Sequence, residues 1–460
     1  MSRFDPLADD TIREIALSLS LNNIIQLCSA SRRFNQVICK DEFFWRQKYI
    51  RDFSDDLIDY RGSWRERYLR AGTVWACGNN DEGQLGVIIP EEEYEEYEEE
   101  EEEDDDDTDE EEEEEFVTEF TRIPNVKFKE VSTGDKHTVF IDVENDFWVC
   151  GSNDDGQLGL GKDLPTEIPD IRSGLRPIVQ IERNYYEPTR LPNFNLLGRA
   201  RQVSAGATHT AIIDFENNVW VCGSNRQGQL GFDNEERNEY VPIKLPNLKA
   251  KQISAGTHNT LMIDLENNVW GWGLNEYGDL GLGHNQPQVI PIKLTNIRAR
   301  QVSAGAFHNV IIDLENNIWV SGYNNKGQLG LGDRDDRDVW TKIPNHTAQQ
   351  VAVGFFHTVI IDMENNVWTC GENDRGQLGL GNERKLSILT KIPNLKARQV
   401  SAGTYHTVII DLENNVWGWG NNLYGQLGQE VLNSRYWPIL ITNIKARRVS
   451  AGANQTIIIE

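Results

Sequence analysis

Long apolar runs are absent from this 460-residue sequence, and their absence bears on two classes of protein. No apolar run approaches the roughly 18 residues that a membrane-spanning helix needs. The opening residues, Met1 to Pro6, contain no apolar signal region. We therefore expect neither membrane insertion nor secretion.

Cysteine is also scarce, with six residues in the whole chain. Four of them occupy one recurring slot, two residues after a repeated tryptophan, where other copies carry Trp272, Ser321 or Trp419. A slot that exchanges Cys with Trp and Ser indicates a packing position and not a metal or disulfide framework. We predict reduced cysteines and therefore a location in the cytoplasm and/or nucleus, of the host cell if the source is viral. The six are Cys28, Cys39, Cys77, Cys150, Cys222 and Cys370.

Basic residues are few beside acidic ones, 45 against 73, and the formal net charge is −28. One segment dominates this balance, because residues 91–115 contain 22 Asp or Glu and no Lys or Arg. Such a run repels itself, so we expect a disordered acidic loop. It is either a solvated loop that aids solubility or a polyanion mimic that docks on a basic protein or on a basic patch of this chain.

The sequence is rich in one repeated pattern. A Ser-Ala-Gly element, a Trp and a Gly-Gln-Leu-Gly element each occur seven times, and the later intervals are 49 or 50 residues. A fixed period of this size is typical of a solenoid or a propeller. The glycine of the first element falls at 134, 206, 256, 305, 354, 403 and 452, and the Trp at 75, 148, 220, 270, 319, 368 and 417.

The secondary structure within one copy decides between the two. Residues 406–411 are a β-branched run without helical spacing, and residues 416–419 form a second such run after an Asn-containing turn. We predict a short inner strand at residues 398–401 and an outer strand at residues 391–393. The outer strand contains a Pro, which is tolerated because an edge strand need not donate every hydrogen bond. Four strands and no helix in each of seven copies predict an all-β seven-bladed propeller.

The two ends of the repeat region complement each other. The last copy supplies the strand 455–459, whereas the first copy lacks its inner strands and begins at residues 73–78. We predict that these segments pair and close the ring, because closure removes exposed sheet edges.

The residues before the repeats read differently. Residues 1–50 carry apolar positions at helical spacing and predict a small all-α domain, and residues 51–71 a helical connector. Within the propeller region, residues 162–190 form a second loop insertion, of mixed charge, and protruding loops often carry binding residues.

Both regions resemble known families. The Ser-Ala-Gly-x-x-His-Thr, Trp-x-x-Gly and Gly-Gln-Leu-Gly-Leu-Gly motifs over residues 72–460 resemble the regulator of chromosome condensation repeat, which implies a seven-bladed propeller. The order Ile12-x-x-Ile15-x-x-x-Leu19, Ile24-Ile25-Gln26-Leu27 and Phe44-Trp45 resembles an F-box, although Pro6-Leu7 stands where that family usually has Leu-Pro. The F-box resemblance implies that the following residues contact a ligase adaptor: Leu7, Ile12, Ile15, Leu19, Ile24 and Leu27.

These resemblances imply a non-catalytic substrate-recognition subunit of a cullin–RING ubiquitin ligase. The helices would bind the F-box adaptor and cullin, and the propeller would bind an unknown protein substrate. The complex would then act by holding a substrate lysine near the charged conjugating enzyme. Two alternatives remain: a guanine-nucleotide exchange factor for a Ran-like small GTPase, and a chromatin or protein-interaction scaffold. We expect a monomer without cofactor, metal or catalytic residues.

A repeated pair of basic residues is the strongest candidate for partner contact within the propeller. Six of seven copies carry two basic residues, one residue apart, just before the inner strand. They predict either a basic girdle for an acidic partner, with nucleic acid or histones ranked lower, or residues that pair with the acidic hairpins. Together with the second insertion they give these candidates: Arg176, Arg183, Tyr185, Tyr186, Arg201, Lys251, Arg300, Arg398 and Arg447.

Three other recurring motifs favour structural roles. A His at a fixed slot (137, 209, 308, 357 and 406), replaced by Asn259 and Gln455, predicts a hydrogen-bonding scaffold and not a metal site. The Asp-x-Glu-Asn-Asn turns predict hairpin tips and not calcium loops. The Gly-Gln-Leu-Gly loops precede no helix with a Lys-Ser/Thr pair, so nucleotide binding is not expected.

Overall fold

The computed structural model describes residues 9–53, 63–88, 116–124, 126–162, 184–191, 199–233 and 238–460. The acidic segment 91–115 lies outside these residues, as does most of the insertion 162–190. The predicted disorder of the first and the binding role of the second therefore stay predictions.

The N-terminal part is helical. Its first two helices are separated by Ser20, whose side chain accepts a hydrogen bond from the Asn23 N–H and caps the second one. Ser63 caps the last helix in the same way by accepting from the Glu66 N–H. The helices are α1 (Asp9–Leu17), α2 (Leu21–Ala30), α3 (Arg32–Phe34), a π-helical turn (Asn35–Cys39), α4 (Glu42–Phe53) and α5 (Trp64–Arg70).

These helices share one core. Ile12, Ile24, Phe34 and Trp45 are almost wholly buried in it, and Tyr68 joins from α5. A polar cluster lies beside the core: Asp52 accepts a hydrogen bond of 2.7 Å from the Tyr68 hydroxyl and lies 3.0 Å from Lys48 Nζ. Both ions are buried, so their attraction can offset the lost hydration only because the two groups are close and Asp52 accepts a further hydrogen bond. Burial lowers the pKa of Lys48, although Asp52 opposes the shift.

The rest of the described chain is β-structure. Its strands are β1 (Val74–Asn79), β2 (Phe116–Ile123), β3 (Phe128–Thr133), β4 (His137–Asp142), β5 (Phe147–Ser152), β6 (Asn184–Arg190), β7 (Ala200–Ala205), β8 (His209–Asp214), β9 (Asn218–Ser224), β10 (Asn238–Ala255), β11 (Asn259–Asp264), β12 (Asn268–Gly273), β13 (Gln288–Ala304), β14 (His308–Asp313), β15 (Asn317–Gly322), β16 (Arg337–Thr347), β17 (Gln350–Val353), β18 (His357–Ile361), β19 (Asn366–Gly371), β20 (Leu386–Ala402), β21 (His406–Asp411), β22 (Val416–Gly420), β23 (Arg435–Thr442), β24 (Arg448–Ala451) and β25 (Gln455–Ile459).

Antiparallel pairing groups these described strands into four-stranded units, such as β3–β4–β5–β6 and β17–β18–β19–β20. Three strands (β10, β13 and β20) are long enough to be the outer strand of one unit and the inner strand of the next. The sequence predicted two separate short strands at these places. The chain stays extended through each of these places, and the change of direction occurs where the strand register shifts. Asn247 and Asn394 lie at two of these shifts and have a positive φ.

The two ends of the β region share one sheet, in the order β2–β1–β25–β24. Val74 lies opposite Ile459 and Gly78 opposite Gln455, in antiparallel register. The inner strand of this sheet contacts the first complete unit, because the Thr133 N–H donates to Ser450 Oγ at 3.1 Å. Neighbouring units elsewhere use the same contact, for example Ala205 N–H to Ser132 Oγ at 2.9 Å.

The repeated Trp and Asp residues meet at the hairpin tips. Trp220 Nε1 donates to Asp214 Oδ2 at 2.9 Å, and Asp214 Oδ1 accepts from the backbone N–H groups of Glu216 and Asn218. Asn217 in the same turn has φ 65°, which Asn tolerates better than most residues. Five other units repeat this arrangement, so the prediction of hairpin tips agrees with the structure.

The four cysteines of the repeat slot are free and buried, as predicted for a packing position. In the repeat slot each residue donates to a carbonyl of the adjacent Gly-Gln-Leu-Gly loop, whether it is Cys222, Trp272 or Ser321. That shared role explains why the slot exchanges them. Cys28 and Cys39 lie beside each other with Cα atoms 6.3 Å apart, because the π-helical turn packs on α2. The reduced state of this pair stays a prediction.

No helix among the described residues has both the length and the apolar character to cross a membrane.

Candidate functional site

The basic pairs lie at one end of the inner strands, and their cations are engaged with neighbouring units. Arg300 Nη2 donates to the Ala348 carbonyl of the next unit at 2.6 Å, and Arg398 Nη2 donates to the Ala446 carbonyl at 2.7 Å. Arg201 makes the same contact with Ala250 and Lys251 at 3.0 and 3.2 Å. These arginines join successive units. Their guanidinium groups are therefore engaged within the protein and do not form the freely available basic girdle that the sequence suggested.

The other members of the pairs fasten the hairpin tips. Lys249 Nζ donates to the Glu216 carbonyl at 2.9 Å and to Asn218 Oδ1 at 2.7 Å. Gln349, which stands at the arginine position in the one copy that lacks the basic pair, donates to Asn365 Oδ1 at 2.6 Å, as Arg300 Nε does to Asn316 Oδ1 at 2.8 Å. Pairing with the hairpins, one of the two interpretations of the basic residues, thus agrees with their geometry. For Lys251, burial lowers the pKa of the side chain.

The face with the basic pairs, here called the girdle face, also carries the helices. Arg447 lies against the rings of Tyr49 and Phe53, with Cζ 5.4 and 4.6 Å from their centroids, and donates to the Phe53 carbonyl at 3.1 Å. Lys127 Nζ donates to the carbonyls of Leu69 and Ala71 at 2.8 and 2.6 Å. Burial lowers the pKa of Lys127 to about 8.

The residues predicted to contact an adaptor do not share one exposed surface. Ile12 and Ile24 are fully buried in the helical core, and Leu19 and Leu27 pack against it. Ile15 is 36% exposed, and Leu7 lies outside the described residues. An outward role for Ile12 and Ile24 is therefore wrong, because their side chains fill the interior. Adaptor binding by the helices as a whole stays a prediction.

The candidates of the second insertion divide in the same way. Arg176 and Arg183 lie outside the described residues. Tyr185 and Tyr186 belong to β6, where Tyr185 packs against a core cluster and the Tyr186 hydroxyl donates to the Asp81 carbonyl at 3.0 Å. Both tyrosines are half-buried, so they contribute to the sheet edge as well as to any partner surface.

The recurring histidines are buried links between units. His209 Nε2 lies 2.9 Å from Thr260 Oγ1 of the next unit, and Thr260 Oγ1 donates to the Gln229 carbonyl at 2.9 Å. Burial lowers the pKa of His209 to about 3, which keeps the imidazole neutral. The described residues contain no group of three or more His, Cys, Asp or Glu side chains that could hold a metal ion. The scaffold role predicted for this slot agrees with these contacts.

The opposite face, here called the open face, carries a patch of aromatic rings. Phe307 and Phe356 are stacked with centroids 5.4 Å apart, and Phe355 lies edge-on to both, at 5.0 and 4.6 Å. All the rings of the patch are half-buried. We define the aromatic patch as Tyr277, Phe307, Tyr323, Phe355, Phe356 and Tyr405.

A cavity shared by the motif glycines, here called the channel mouth, lies beside this patch. The motif glycine of each copy lies close to the motif glycine of the next. A Cβ on Gly206 would lie 2.4 Å from the Gly256 carbonyl oxygen, and a Cβ on Gly452 would lie 2.5 Å from the Gly134 carbonyl oxygen, so neither position has room for a side chain. The motif glycines line this cavity, of about 130 Å³, together with Ala and Thr residues, Asp135 and Phe355. Asp135 lines this mouth and is exposed to solvent.

Sequence reasoning missed the aromatic patch. The signal was present in the two residues after the motif glycine, which are Phe355 and Phe356 in one copy and small residues, Ala207 and Thr208, in another. Comparing that slot between copies would have identified it. The partners of the rings come from different units, so only the fold shows that they form one surface.

Repeated β-units whose motif glycines line one cavity, and whose two faces differ, are typical of a repeat propeller. The RCC1-like domain family matches residues 73–458. The chain therefore belongs to the RCC1-like domain family.

Known proteins support this assignment. The chain is 30% identical over 114 residues to the human X-linked retinitis pigmentosa GTPase regulator, covering 25% of this chain and 9% of that protein. It is 28% identical over 180 residues to the bovine secretion-regulating guanine nucleotide exchange factor, covering 39% of this chain and 30% of that protein. The matches thus span less than a third of these relatives.

Among solved structures, Prp20p of Saccharomyces cerevisiae aligns over 85% of this chain and 91% of its own, with a TM-score of 0.69 and 19% identity. Prp20p is known for its binding to Gsp1p and histones. At this identity the likeness shows the fold.

Proposed function

We propose that this protein is a non-catalytic, protein-binding propeller that acts as a guanine-nucleotide exchange factor for a Ran-like small GTPase. The open face is the proposed GTPase-binding surface. The observation that carries the proposal is the pairing of a half-buried aromatic patch with the acidic channel mouth, on a propeller whose other face contacts the helices. Resemblance to relatives named as an exchange factor and a GTPase regulator supports it.

Exchange needs no chemistry from the propeller. A protein that binds the nucleotide-free GTPase more tightly than the nucleotide-bound one shifts the equilibrium by that difference in affinity. Aromatic side chains are frequent anchors of such interfaces. The Asp135 carboxylate adds a charge that could pair with a basic partner residue at the rim of the patch.

We also propose that the propeller is a closed ring of seven blades. The register of β1 with β25 supports this, as do the contacts of Thr133 with Ser450 and of Gly452 with Gly134. A closed ring gives the open face a fixed shape, because each glycine of the channel is held by its neighbours on both sides.

A second candidate is the substrate-recognition subunit of a cullin–RING ubiquitin ligase, with the helices as an F-box. One observation favours it: Ile15, Ile25 and Phe43 leave 36%, 48% and 61% of their surface exposed on the helical part. Exposed apolar residues often mark a protein contact. In this case the adaptor and cullin bind the helices, and the open face holds the protein substrate.

Nucleic acid and histones rank lower as partners. The arginines that suggested a basic girdle donate to carbonyl groups inside the protein, and the formal net charge of the chain is −28. A monomer in the cytoplasm and/or nucleus remains our proposal.

Affinity purification of three full-length proteins separates the two candidates. The first is the wild type. The second is F355A/F356T, which copies Ala207-Thr208 of another unit, and the third is I15E/F43E on the helices. Exchange predicts that wild type and I15E/F43E retain a small GTPase and that F355A/F356T loses it. Recovery of adaptor and cullin, lost only in I15E/F43E, would contradict exchange and favour the second candidate.

A further inference from the structure

We infer that the cleft between α5 and the last propeller unit is a binding site for a phosphate-bearing ligand. The cleft has a volume of about 320 Å³ and lies on the girdle face, between the helical part and the propeller. It is separate from the open face, so the inference does not depend on the proposed exchange activity.

Charge is concentrated in this cleft. Among the described residues, its lining includes four cationic and two anionic side chains. A phosphate dianion would offset more of this excess of cationic side chains than a single carboxylate would. The cations are Arg67, Arg70, Lys445 and Arg447, and the anions are Glu66 and Glu460.

Two of the cations are fixed on one aromatic ring. Arg67 Cζ lies 5.0 Å and Arg447 Cζ 5.4 Å from the centroid of Tyr49. Each ring contact offsets part of the cost of holding a guanidinium in place. Both contacts also pre-orient planar groups, and guanidinium groups suit bidentate binding of phosphate oxygens.

The other two cations complete the wall. Lys445 is held by the Glu413 carbonyl at 3.3 Å and by Asn415 Oδ1. The exposed Arg70 side chain has no hydrogen-bond or ion-pair partner among the described residues. A cation that is free beside three fixed ones is suited to close on an incoming anion.

The acidic side chains do not cancel this arrangement. Glu66 is exposed, and neither Glu66 nor Glu460 forms an ion pair with a described side chain. The Glu460 main-chain oxygen accepts the Gly72 N–H at 2.8 Å, which fixes this residue at the edge of the cleft. Neither carboxylate therefore holds one of the described cations of the cleft in an ion pair.

The test is isothermal titration of the full-length protein at pH 7.5 with inorganic phosphate, with chloride at matched ionic strength as the reference. We expect phosphate to bind and R70Q to weaken its binding at least tenfold, whereas R65Q on the same helix leaves it unchanged. K445Q is expected to weaken binding as well, and K396Q, at the equivalent position one unit earlier, is not. A phosphoserine peptide that binds more tightly than phosphate, while its serine form does not bind, identifies a phosphorylated side chain as the source; a weaker peptide identifies a free phosphate compound.

Two results would overturn the inference. One is a titration in which phosphate gives no more heat than chloride. The other is an R70Q protein, with an unchanged melting temperature, that binds phosphate as tightly as the wild type.

Discussion

Thr133 and Ser450 are joined by two hydrogen bonds although 317 residues separate them. The Thr133 N–H donates to Ser450 Oγ at 3.1 Å, and the two hydroxyl oxygens lie 2.8 Å apart. Ser401 receives the N–H of Ala451 at 2.9 Å, which is the same contact between units adjacent in sequence. The junction of the first and last units thus uses the contact that the other junctions use.

S450A therefore tests whether the ring is closed in solution. We expect it to lower the free energy of unfolding by about 1–3 kcal/mol, because it leaves a buried donor without a partner. S401A, at an ordinary junction, is expected to cost a similar amount. Urea unfolding measures both. A clear loss in S401A with none in S450A would mean that the ends separate readily in solution.

The buried histidines predict sensitivity to acid. Burial lowers the pKa of His357 to about 3, below its value in the unfolded chain, so the unfolded state binds the proton first as pH falls. Its contribution to stability is complete above about pH 6.5 and is lost toward pH 3, at about 1.4 kcal/mol per pH unit. H357Q, which copies Gln455 of the last unit, should reduce this slope between pH 6 and 4. Unfolding curves with identical slopes would contradict the assignment.

Asp279 predicts the opposite trend near neutral pH. It replaces the Gln of the other loops, accepts a hydrogen bond of 2.6 Å from Asn259 Nδ2, and burial raises its pKa to about 7. The unfolded carboxyl ionises near pH 4, so stability falls as pH rises from about 4 to 7 and is constant above.

D279N keeps an oxygen acceptor for Asn259 and removes the buried ionisation. We expect it to be more stable than the wild type at pH 8 by a margin that disappears at pH 4.5. D335N, at an exposed position, serves as the control and is expected to change neither value. A D279N protein whose advantage is the same at both pH values would show that this carboxyl does not titrate as described.

The polar cluster of the helical part predicts a large effect at Asp52. D52A leaves the buried Lys48 ammonium without its ion-pair partner, which typically costs about 3–5 kcal/mol. We expect the helices to unfold before the propeller, as a separate transition in the aromatic circular dichroism signal. The double variant K48M/D52L removes both charges and should recover much of the loss. A single transition with unchanged midpoint in D52A would argue against this role.

Periodic and local features could be predicted from sequence, and contacts between units could not. The Asp214 turn and the His209 slot recur at fixed spacing, so each copy supports the interpretation of the others. The neighbours of Arg300 depend on how one unit is rotated relative to the next. That rotation cannot be read from the sequence, because the contacting residues are far apart in the chain. For the same reason the basic pairs suggested an external partner, whereas they join units and hold the helices.

The open face is tested most directly by the rate of guanine-nucleotide release from a Ran-like GTPase. With catalytic amounts of the full-length protein, we expect release at least tenfold faster than the intrinsic rate. F355A/F356T should lose most of this acceleration, and F215A, at an exposed phenylalanine on the girdle face, should retain it. Release at the intrinsic rate with the wild type, or equal acceleration by F355A/F356T, would contradict the proposed function.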